Sequence, residues 1–196
     1  MADVGAGLKV GDVVCEATAF AAHAHAGQTR KGSSVPYIVH PMEVASIVAS
    51  ICPDESTIAA AVLHDVVEDT GADLDEIRRR FGLRVAEIVA AESEDKRRDR
   101  PAHDTWRERK QATIDHLTHT DDPSVLVVAL ADKLSNMRSI ARDYREVGDD
   151  VWQRFNMRDA NLHAWYYRAV VAALEPSLGD TCAWRELSAR VEEVFG

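Results

Sequence analysis

Polar side chains interrupt three apolar stretches of the sequence, at positions where residues of a hydrophobic core are expected. The set comprises histidines and carboxylates, namely His40, then His64, Asp65, Glu68 and Asp69, then Asp132. A buried carboxylate without a partner is costly, so each one needs a proton, a cation or a metal ion nearby. The shared pattern therefore predicts a divalent metal site assembled from separate parts of the chain.

The stretch AAAVLHDVVEDT concentrates three carboxylates and a histidine within about one and a half helical turns. On a helix, His64 shares a face with Glu68, and Asp65 with Asp69, because residues four apart lie one turn above each other. Mutual repulsion of these carboxylates opposes folding unless positive charge is close by. A divalent cation relieves that repulsion, and Glu68 and Asp69 are then placed to orient a water molecule and accept its proton.

The predicted ligands are His40, His64, Asp65 and Asp132. Two imidazoles and two carboxylates suit Mn²⁺ or Fe²⁺, and less exclusively Zn²⁺ or Mg²⁺. A metal on such a set polarises a phosphoryl group and lowers the pKa of water, which is the chemistry of a phosphohydrolase. Each residue alone also has a structural interpretation, such as a helix cap for His40 or an ion pair with Arg138 for Asp132. Only the joint pattern favours a metal.

Basic and polar residues near these stretches are candidates for binding a phosphate-bearing substrate. Arg30 and Lys31 lie in a glycine- and serine-rich loop, where they could contact phosphate or where Arg30 could stack on a flat base. The alternative is an exposed basic loop without a ligand. A charged segment (93–105), predicted as a mobile loop, precedes a basic helix that contains Lys110. Asn136 lies one helical turn after the last predicted ligand.

The bulk composition limits the partners. The formal net charge is -10, so we expect neither nucleic acid nor an anionic membrane as a partner. No apolar run approaches the roughly 20 residues of a membrane span, and the N-terminus does not resemble a signal peptide. The 3 cysteines are far apart and predict no disulfide framework. We expect a cytoplasmic protein that can still bind a small anion in a pocket with a cation and basic residues; the pattern does not indicate an oligomeric state.

Helical periodicity dominates the chain, and strands do not alternate with helices. Residues 56–69 are predicted as one buried helix. Asp73 and Gly82 are cap signals at the two ends of a short helix. Asp122 followed by Pro123 marks the start of a long helix. Its β-branched VLVV stretch also suits a strand, but the apolar i, i+4 pattern that follows favours a helix.

Four segments resemble the hydrolase domain of the RelA/SpoT family, which acts on the alarmone (p)ppGpp. They are AHAGQTRKGSSVPYIVHPMEVA, AAAVLHDVVEDT, FGLRVAEIV and LADKLSNMRS, within roughly residues 12–175. Because no synthetase or regulatory domain follows, we expect a stand-alone, Mesh1-like small alarmone hydrolase. The resemblance implies an all-α HD-domain helical bundle, with residues 1–196 as one domain and a C-terminal helix over 184–195 that extends its core.

The resemblance also implies roles for individual residues. The four predicted ligands match the Mn²⁺ ligands of the family, and the two carboxylates of the HDVVEDT segment match its water-activating pair. Arg30 and Lys31 match a loop that packs on the guanine base, and Asn136 matches a residue of the nucleotide pocket. Lys110 resembles a phosphate-contacting lysine. The implied reaction removes pyrophosphate from the 3′ position of (p)ppGpp and yields GDP or GTP.

Two segments, AAESEDKRRDRPAHD and FNMRDANLHAWYYR, depart from the family pattern and are expected to border the nucleotide. One alternative is therefore an HD phosphohydrolase of another nucleotide, such as NADPH at its 2′-phosphate, a dNTP or a nucleoside monophosphate. Another is a non-catalytic nucleotide sensor. The intact pair of carboxylates disfavours a sensor, because a protein that only binds has no use for repelling charges beside a metal.

Overall fold

The computed structural model describes residues 11–94 and 100–196, which fold as α-helices joined by short connections. In chain order the helices are α1 (Asp12–Ala24), α2 (Val39–Ile51), α3 (Glu55–Leu63), α4 (Val66–Asp69), α5 (Leu74–Phe81), α6 (Leu83–Glu92), α7 (Ala102–His119), α8 (Pro123–Val147), α9 (Ala160–Leu178) and α10 (Cys182–Phe195). A 3₁₀ helix, Gly148–Arg154, lies between α8 and α9. No strand element occurs within the described ranges, and the predicted all-α class is confirmed.

Helices α3 and α8 form the centre of the fold. Helix α3 packs against α1, α2, α6 and α8. Its fully buried Ala59, Ala60 and Ala61 are small, so the neighbouring helices can approach its backbone closely. Helix α8 packs against α2, α6, α9 and α10 and is buried along most of its first half. The two helices therefore bring the predicted metal-binding stretches into the core.

Helix ends follow the predicted capping signals. Asp73 caps α5 by accepting a hydrogen bond from the backbone N–H of Glu76, and Gly82 ends that helix with a φ of 91°. Asp122 caps α8, with Pro123 in its first turn. The β-branched stretch at the start of α8 is helical, as predicted.

The prediction of one continuous helix over residues 56–69 is wrong. Helix α3 ends at Leu63, the chain turns at His64 and Asp65, and the single-turn helix α4 follows. His64 Nδ1 lies 2.7 Å from the carbonyl oxygen of Ala61. In a continuous helix that oxygen accepts from the N–H of Asp65, so the imidazole competes with the helical ladder at this point.

The predicted loop over residues 93–105 is too long at its C-terminal end. Helix α7 already begins at Ala102, because Pro101 just before it is compatible with a helix start. Residues 95–99 lie outside the described residues, and the mobility of the segment stays a prediction. The predicted C-terminal helix (184–195) is part of α10, which packs on α8 and α9. The assignment of residues 1–196 to one domain also stays a prediction.

A membrane span requires a long apolar helix. Within residues 11–94 and 100–196, none of the helices is both long and apolar enough to cross a bilayer.

The cap of α8 gives a test of helix stability. Asp122 accepts a hydrogen bond from the N–H of Ser124, and its two oxygens accept from Arg84 at 2.6 and 2.7 Å. We expect Asp122→Ala to lower the free energy of unfolding by about 1–2 kcal/mol at pH 7, measured by urea denaturation. The hydrogen bond from Arg84 lowers the pKa of Asp122. The difference between variant and wild type should therefore persist down to about pH 4 and shrink only below it.

The matched control is Asp121→Ala, which removes an exposed neighbouring carboxylate. This control should change the free energy of unfolding by less than about 0.5 kcal/mol. An equal loss in both variants would contradict the role assigned to the Asp122 cap.

Candidate metal centre

Side chains from α2, from the turn between α3 and α4, and from α8 meet at one point. Asp132 Oδ1 lies 3.1 Å from His40 Nε2 and 3.7 Å from His64 Nε2. Asp65 Oδ2 lies 3.1 Å from His64 Nε2 and 3.6 Å from His40 Nε2. His40, His64 and Asp65 offer ligand atoms that all lie within 4.8 Å of one another. The structure thus brings together the four side chains that the sequence analysis selected.

Hydrogen bonds fix both histidines so that Nε2 faces the carboxylates. The carbonyl oxygen of Ala61 can only accept, so the nearby His64 Nδ1 carries a proton. Ser135 Oγ donates its proton to Glu43 Oε2 at 2.7 Å and therefore accepts from His40 Nδ1, which lies 2.9 Å away. In each neutral imidazole the lone pair is then on Nε2, which is the tautomer that a metal ligand here requires.

The charge balance at this point fits a divalent cation. Burial lowers the pKa of His64, but Asp65 and Asp132 outweigh burial and hold that pKa well above its usual value. Burial lowers the pKa of His40. His64 Nε2 is buried and has no hydrogen-bond partner among the described residues, although carboxylate oxygens lie close to it. An orphaned imidazole nitrogen beside two carboxylates is a donor set that binds divalent metals.

Asp132 is buried in the middle of α8 and keeps its negative charge. Burial raises its pKa, but the ammonium group of Lys133, in direct contact with Asp132 Oδ2, and the imidazoles of His40 and His64 together outweigh burial, and the pKa falls well below the usual value. The alternative ion pair between Asp132 and Arg138 does not form. Arg138 pairs with Glu43 and Glu186, at 3.0 and 2.7 Å.

The two predicted water-activating carboxylates lie beside this centre. Glu68 Oε2 accepts a hydrogen bond from the backbone N–H of Glu94 at 3.1 Å. The Tyr37 hydroxyl lies 2.5 Å from Asp65 Oδ2 and 3.3 Å from Asp69 Oδ2. Burial and the charge of Asp65 raise the pKa of Tyr37, so its hydroxyl keeps the proton that it donates. Glu68 and Asp69 line the same cleft as the four clustered residues.

The cleft has a volume of about 1160 Å³ and is lined by the predicted substrate-binding residues. Arg30 Nη2 donates to Asn136 Oδ1 at 2.8 Å, and Asn136 Nδ2 donates to Asp132 Oδ1 at 2.6 Å. Lys31 Nζ lies 5.5 Å from the centre of the Phe155 ring. A space of this size accommodates a nucleotide with its phosphates.

Lys110 reaches the cleft from α7. Its Nζ donates to Glu94 Oε2 at 2.7 Å and lies 5.2 Å from the centre of the Tyr166 ring. A cation is therefore present at this end of the cleft, although a carboxylate of the same chain already neutralises it.

The sequence analysis did not select several polar residues that contact the predicted site, namely Tyr37, Glu94, Lys133 and Ser135. Two of them left a signal in the sequence. Tyr37 precedes His40 by three residues, about one turn, and Lys133 is a charged residue within an apolar helical stretch. A serine in a helix and a glutamate in a charged segment are common, so Ser135 and Glu94 left no such signal.

Comparisons with known proteins agree with this architecture. A family model described as the HD domain matches residues 17–160, and the chain belongs to the HD-domain family. The mouse guanosine-3′,5′-bis(diphosphate) 3′-pyrophosphohydrolase MESH1 is 39% identical over 130 residues, which are 65% of this chain and 69% of the mouse protein. A Haemophilus influenzae protein named for the same activity is 42% identical over 118 residues, 60% of this chain. The chain spans only 17% of that bacterial relative.

Two solved structures are similar to this chain. One is a metazoan orthologue of SpoT that hydrolyses ppGpp; it matches with a TM-score of 0.68 and 26% identity, over 96% of this chain and 97% of that one. The other is the Listeria monocytogenes protein lmo0812, with a TM-score of 0.70 and 30% identity, over 80% of this chain and 98% of that one. The resemblance to RelA/SpoT hydrolase domains and the HD-domain helical bundle are thereby confirmed.

The hydrogen bond between His40 and Ser135 gives a test that leaves every predicted ligand intact. We expect Ser135→Ala to weaken the binding of a divalent metal by about 10–100-fold, because His40 Nδ1 loses its acceptor. Isothermal titration with Mn²⁺ measures the affinity. Ser139→Ala, one turn further along α8 on the cleft wall, is the matched control and should bind as the wild type does. Unchanged affinity in Ser135→Ala would show that the tautomer of His40 is irrelevant to metal binding.

Proposed function

We propose that this chain is a Mn²⁺-dependent (p)ppGpp 3′-pyrophosphohydrolase. Water attacks the phosphorus bonded to the ribose 3′ oxygen, that P–O bond breaks, and pyrophosphate and GDP or GTP are released. The proposal rests on one observation: two imidazole nitrogens and two carboxylates converge beside Glu68 and Asp69 in a single cleft. The printed activities of the mouse and Haemophilus influenzae relatives support it.

The metal in this proposal is held by His40, His64, Asp65 and Asp132. Their mixed nitrogen and oxygen donors suit Mn²⁺, and Fe²⁺, Zn²⁺ or Mg²⁺ are weaker candidates. The chemistry that such an ion supplies when bound is polarisation of a phosphoryl oxygen and a lower pKa for water.

Glu68 and Asp69 orient the attacking water and take its proton. Glu68 is held by the backbone N–H of Glu94, and Asp69 lies within reach of the Tyr37 hydroxyl. These contacts place both carboxylates in the cleft beside the proposed metal ligands, where they can accept a proton from water. The departing ribose 3′ oxygen takes up a proton and becomes a hydroxyl group.

The nucleotide in this proposal is bound by Arg30, Lys31, Asn136 and Lys110. Arg30 is pre-oriented, since Asn136 accepts from one of its nitrogens and its guanidinium lies 5.7 Å from the centre of the Tyr37 ring. A planar, fixed guanidinium is suited to stack on guanine. Lys31 and Lys110 supply charge for the phosphates, which the carboxylates of the cleft would otherwise repel.

A related nucleotide is the second candidate substrate. Both segments that depart from the family pattern contribute to the cleft wall, the first through Ser93 and Glu94 and the second through Asn156 and His163. Changes at these positions alter contacts to the base and the phosphates. NADPH, a dNTP and a nucleoside monophosphate therefore belong in the same assay as ppGpp.

We propose a small nucleotide, and not nucleic acid or membrane, as the partner, and the cytoplasm as the place of action. The net charge of -10 opposes binding to polyanions. The three cysteines, Cys15, Cys52 and Cys182, are free thiols, which is consistent with a reducing compartment.

Incubation of the protein with ppGpp and Mn²⁺ should release pyrophosphate and GDP in equal amounts, measured by anion-exchange chromatography. Chelation of the metal or Asp65→Asn should abolish the release, while Asp121→Asn, a surface control, should leave it unchanged. If the protein hydrolyses NADPH, a dNTP or a nucleoside monophosphate but not ppGpp, the proposed substrate is wrong and that nucleotide takes its place.

Glu68→Gln and Asp69→Asn should each lower kcat by about 100-fold or more, because each removes a group that accepts a proton from water. Both variants should still bind Mn²⁺ with the wild-type stoichiometry, which titration calorimetry measures. Wild-type turnover in both variants would rule out the assigned activation of water. Loss of the metal together with activity would assign these carboxylates to metal binding instead.

A further inference from the structure

Glu94, just after α6, contacts two functional parts of the cleft at once. Its backbone N–H donates to Glu68 Oε2 at 3.1 Å. Its carboxylate accepts a hydrogen bond from Lys110 Nζ at 2.7 Å and is in still closer contact with Arg109 Nη1. All of these residues line the cleft. One residue therefore joins a proposed water-activating carboxylate to Lys110, the cation proposed to meet the phosphates, and to its neighbour Arg109.

This ion cluster is shielded from solvent. The exposed fractions of the side chains are 14% for Glu94, 11% for Arg109 and 22% for Lys110. Burial raises the pKa of Glu94, but the two cations outweigh burial and lower it. The carboxylate is thus ionised at neutral pH, in a setting where ion pairs are stronger than at an exposed surface.

The two cations are held differently. Arg109 also donates to Thr105 Oγ1 and to the carbonyl oxygen of Ala102, both at 3.2 Å. Among the described residues, Glu94 is the only hydrogen-bond acceptor of Lys110. Lys110 is therefore the cation that can exchange its partner for an incoming anion with the least rearrangement.

We propose that Glu94 is a positioning residue that acts as an internal counter-anion at the phosphate end of the cleft. Without a ligand its carboxylate occupies Lys110 and Arg109, and pyrophosphate replaces it on Lys110. The backbone N–H of Glu94 keeps Glu68 in place throughout, since only the side chain exchanges. The identity of the anion rests on the proposed function; the competition between Glu94 and an anion does not.

Two consequences follow for the choice of anion. An anion must displace an existing ion pair, so a polyanion such as pyrophosphate is favoured over a singly charged one. Because Glu94 returns to the cations when the anion leaves, it also weakens the retention of pyrophosphate as a product. Glu94 thereby lowers the affinity of the cleft for pyrophosphate and speeds the release of pyrophosphate as a product.

The test is Glu94→Gln, which removes the charge while preserving the length of the side chain and the backbone N–H. Inorganic pyrophosphate should bind about tenfold tighter to the variant loaded with one equivalent of Mn²⁺, measured by titration calorimetry. Its inhibition constant as a product should fall by a similar factor. In Glu94→Gln/Lys110→Met the gain should disappear, because the cation that the anion uses is gone. A merely structural role for Glu94 predicts weaker binding instead.

The matched control is Glu193→Gln, since Glu193 also pairs with two cations, Arg145 and Arg190, but outside the cleft. It should bind pyrophosphate as the wild type does. Equal or weaker binding in Glu94→Gln, or the same gain in Glu193→Gln, overturns the proposal.

If Glu94→Gln does not fold, Glu94→Asp serves the same purpose, because its shorter side chain cannot pair with both cations. A smaller gain in pyrophosphate affinity is then expected, and unchanged affinity overturns the proposal. The outcome is separable from the proposed function. Failure to hydrolyse ppGpp with a preserved gain in pyrophosphate binding refutes the proposed function alone.

Discussion

Repulsion between carboxylates in a single cleft is the constraint on which the rest of this structure depends. The chain balances that repulsion in three ways. Cations pair with some carboxylates directly, as Lys133 does with Asp132 and Lys110 with Glu94. Burial raises the pKa of Glu92 to about 7, so this carboxyl group carries a proton in part of the molecules at neutral pH. Where two histidines face Asp65 and Asp132, the divalent metal proposed above would supply further positive charge.

The arrangement of the helices brings the carboxylates and the groups that offset their charge together inside the core. Helix α3 is rich in alanine, so α2 and α8 approach it closely enough for groups from all three segments to meet. The helix is interrupted at His64 and Asp65, where the imidazole donates a hydrogen bond to the carbonyl oxygen of Ala61. The same bond that interrupts the helix fixes the histidine tautomer. The break in the helix and the orientation of the His64 imidazole therefore occur at the same residue.

The sequence was sufficient to predict the class of fold and the group of residues at the centre, because polar residues within apolar helices are rare and costly. It predicted the caps at Asp73 and Asp122 from local chemistry alone. It did not predict the break after Leu63, because a histidine within an apolar helical stretch gives no sign that its side chain will contact the preceding turn. The contacts of Glu94 and Ser135 depend on residues 15 or more positions away in sequence, such as Lys110 and Glu43. The hydrophobic periodicity of a single helix gives no information about contacts between residues so far apart in sequence.

Anomalous diffraction from crystals grown with Mn²⁺ tests most directly whether a metal balances the central carboxylates. A single strong peak should lie within about 2.0–2.3 Å of Nε2 of His40 and His64 and of carboxylate oxygens of Asp65 and Asp132. The absence of a peak between these four side chains, with the histidines and aspartates paired only to one another, would contradict the metal centre and the hydrolase proposed from it.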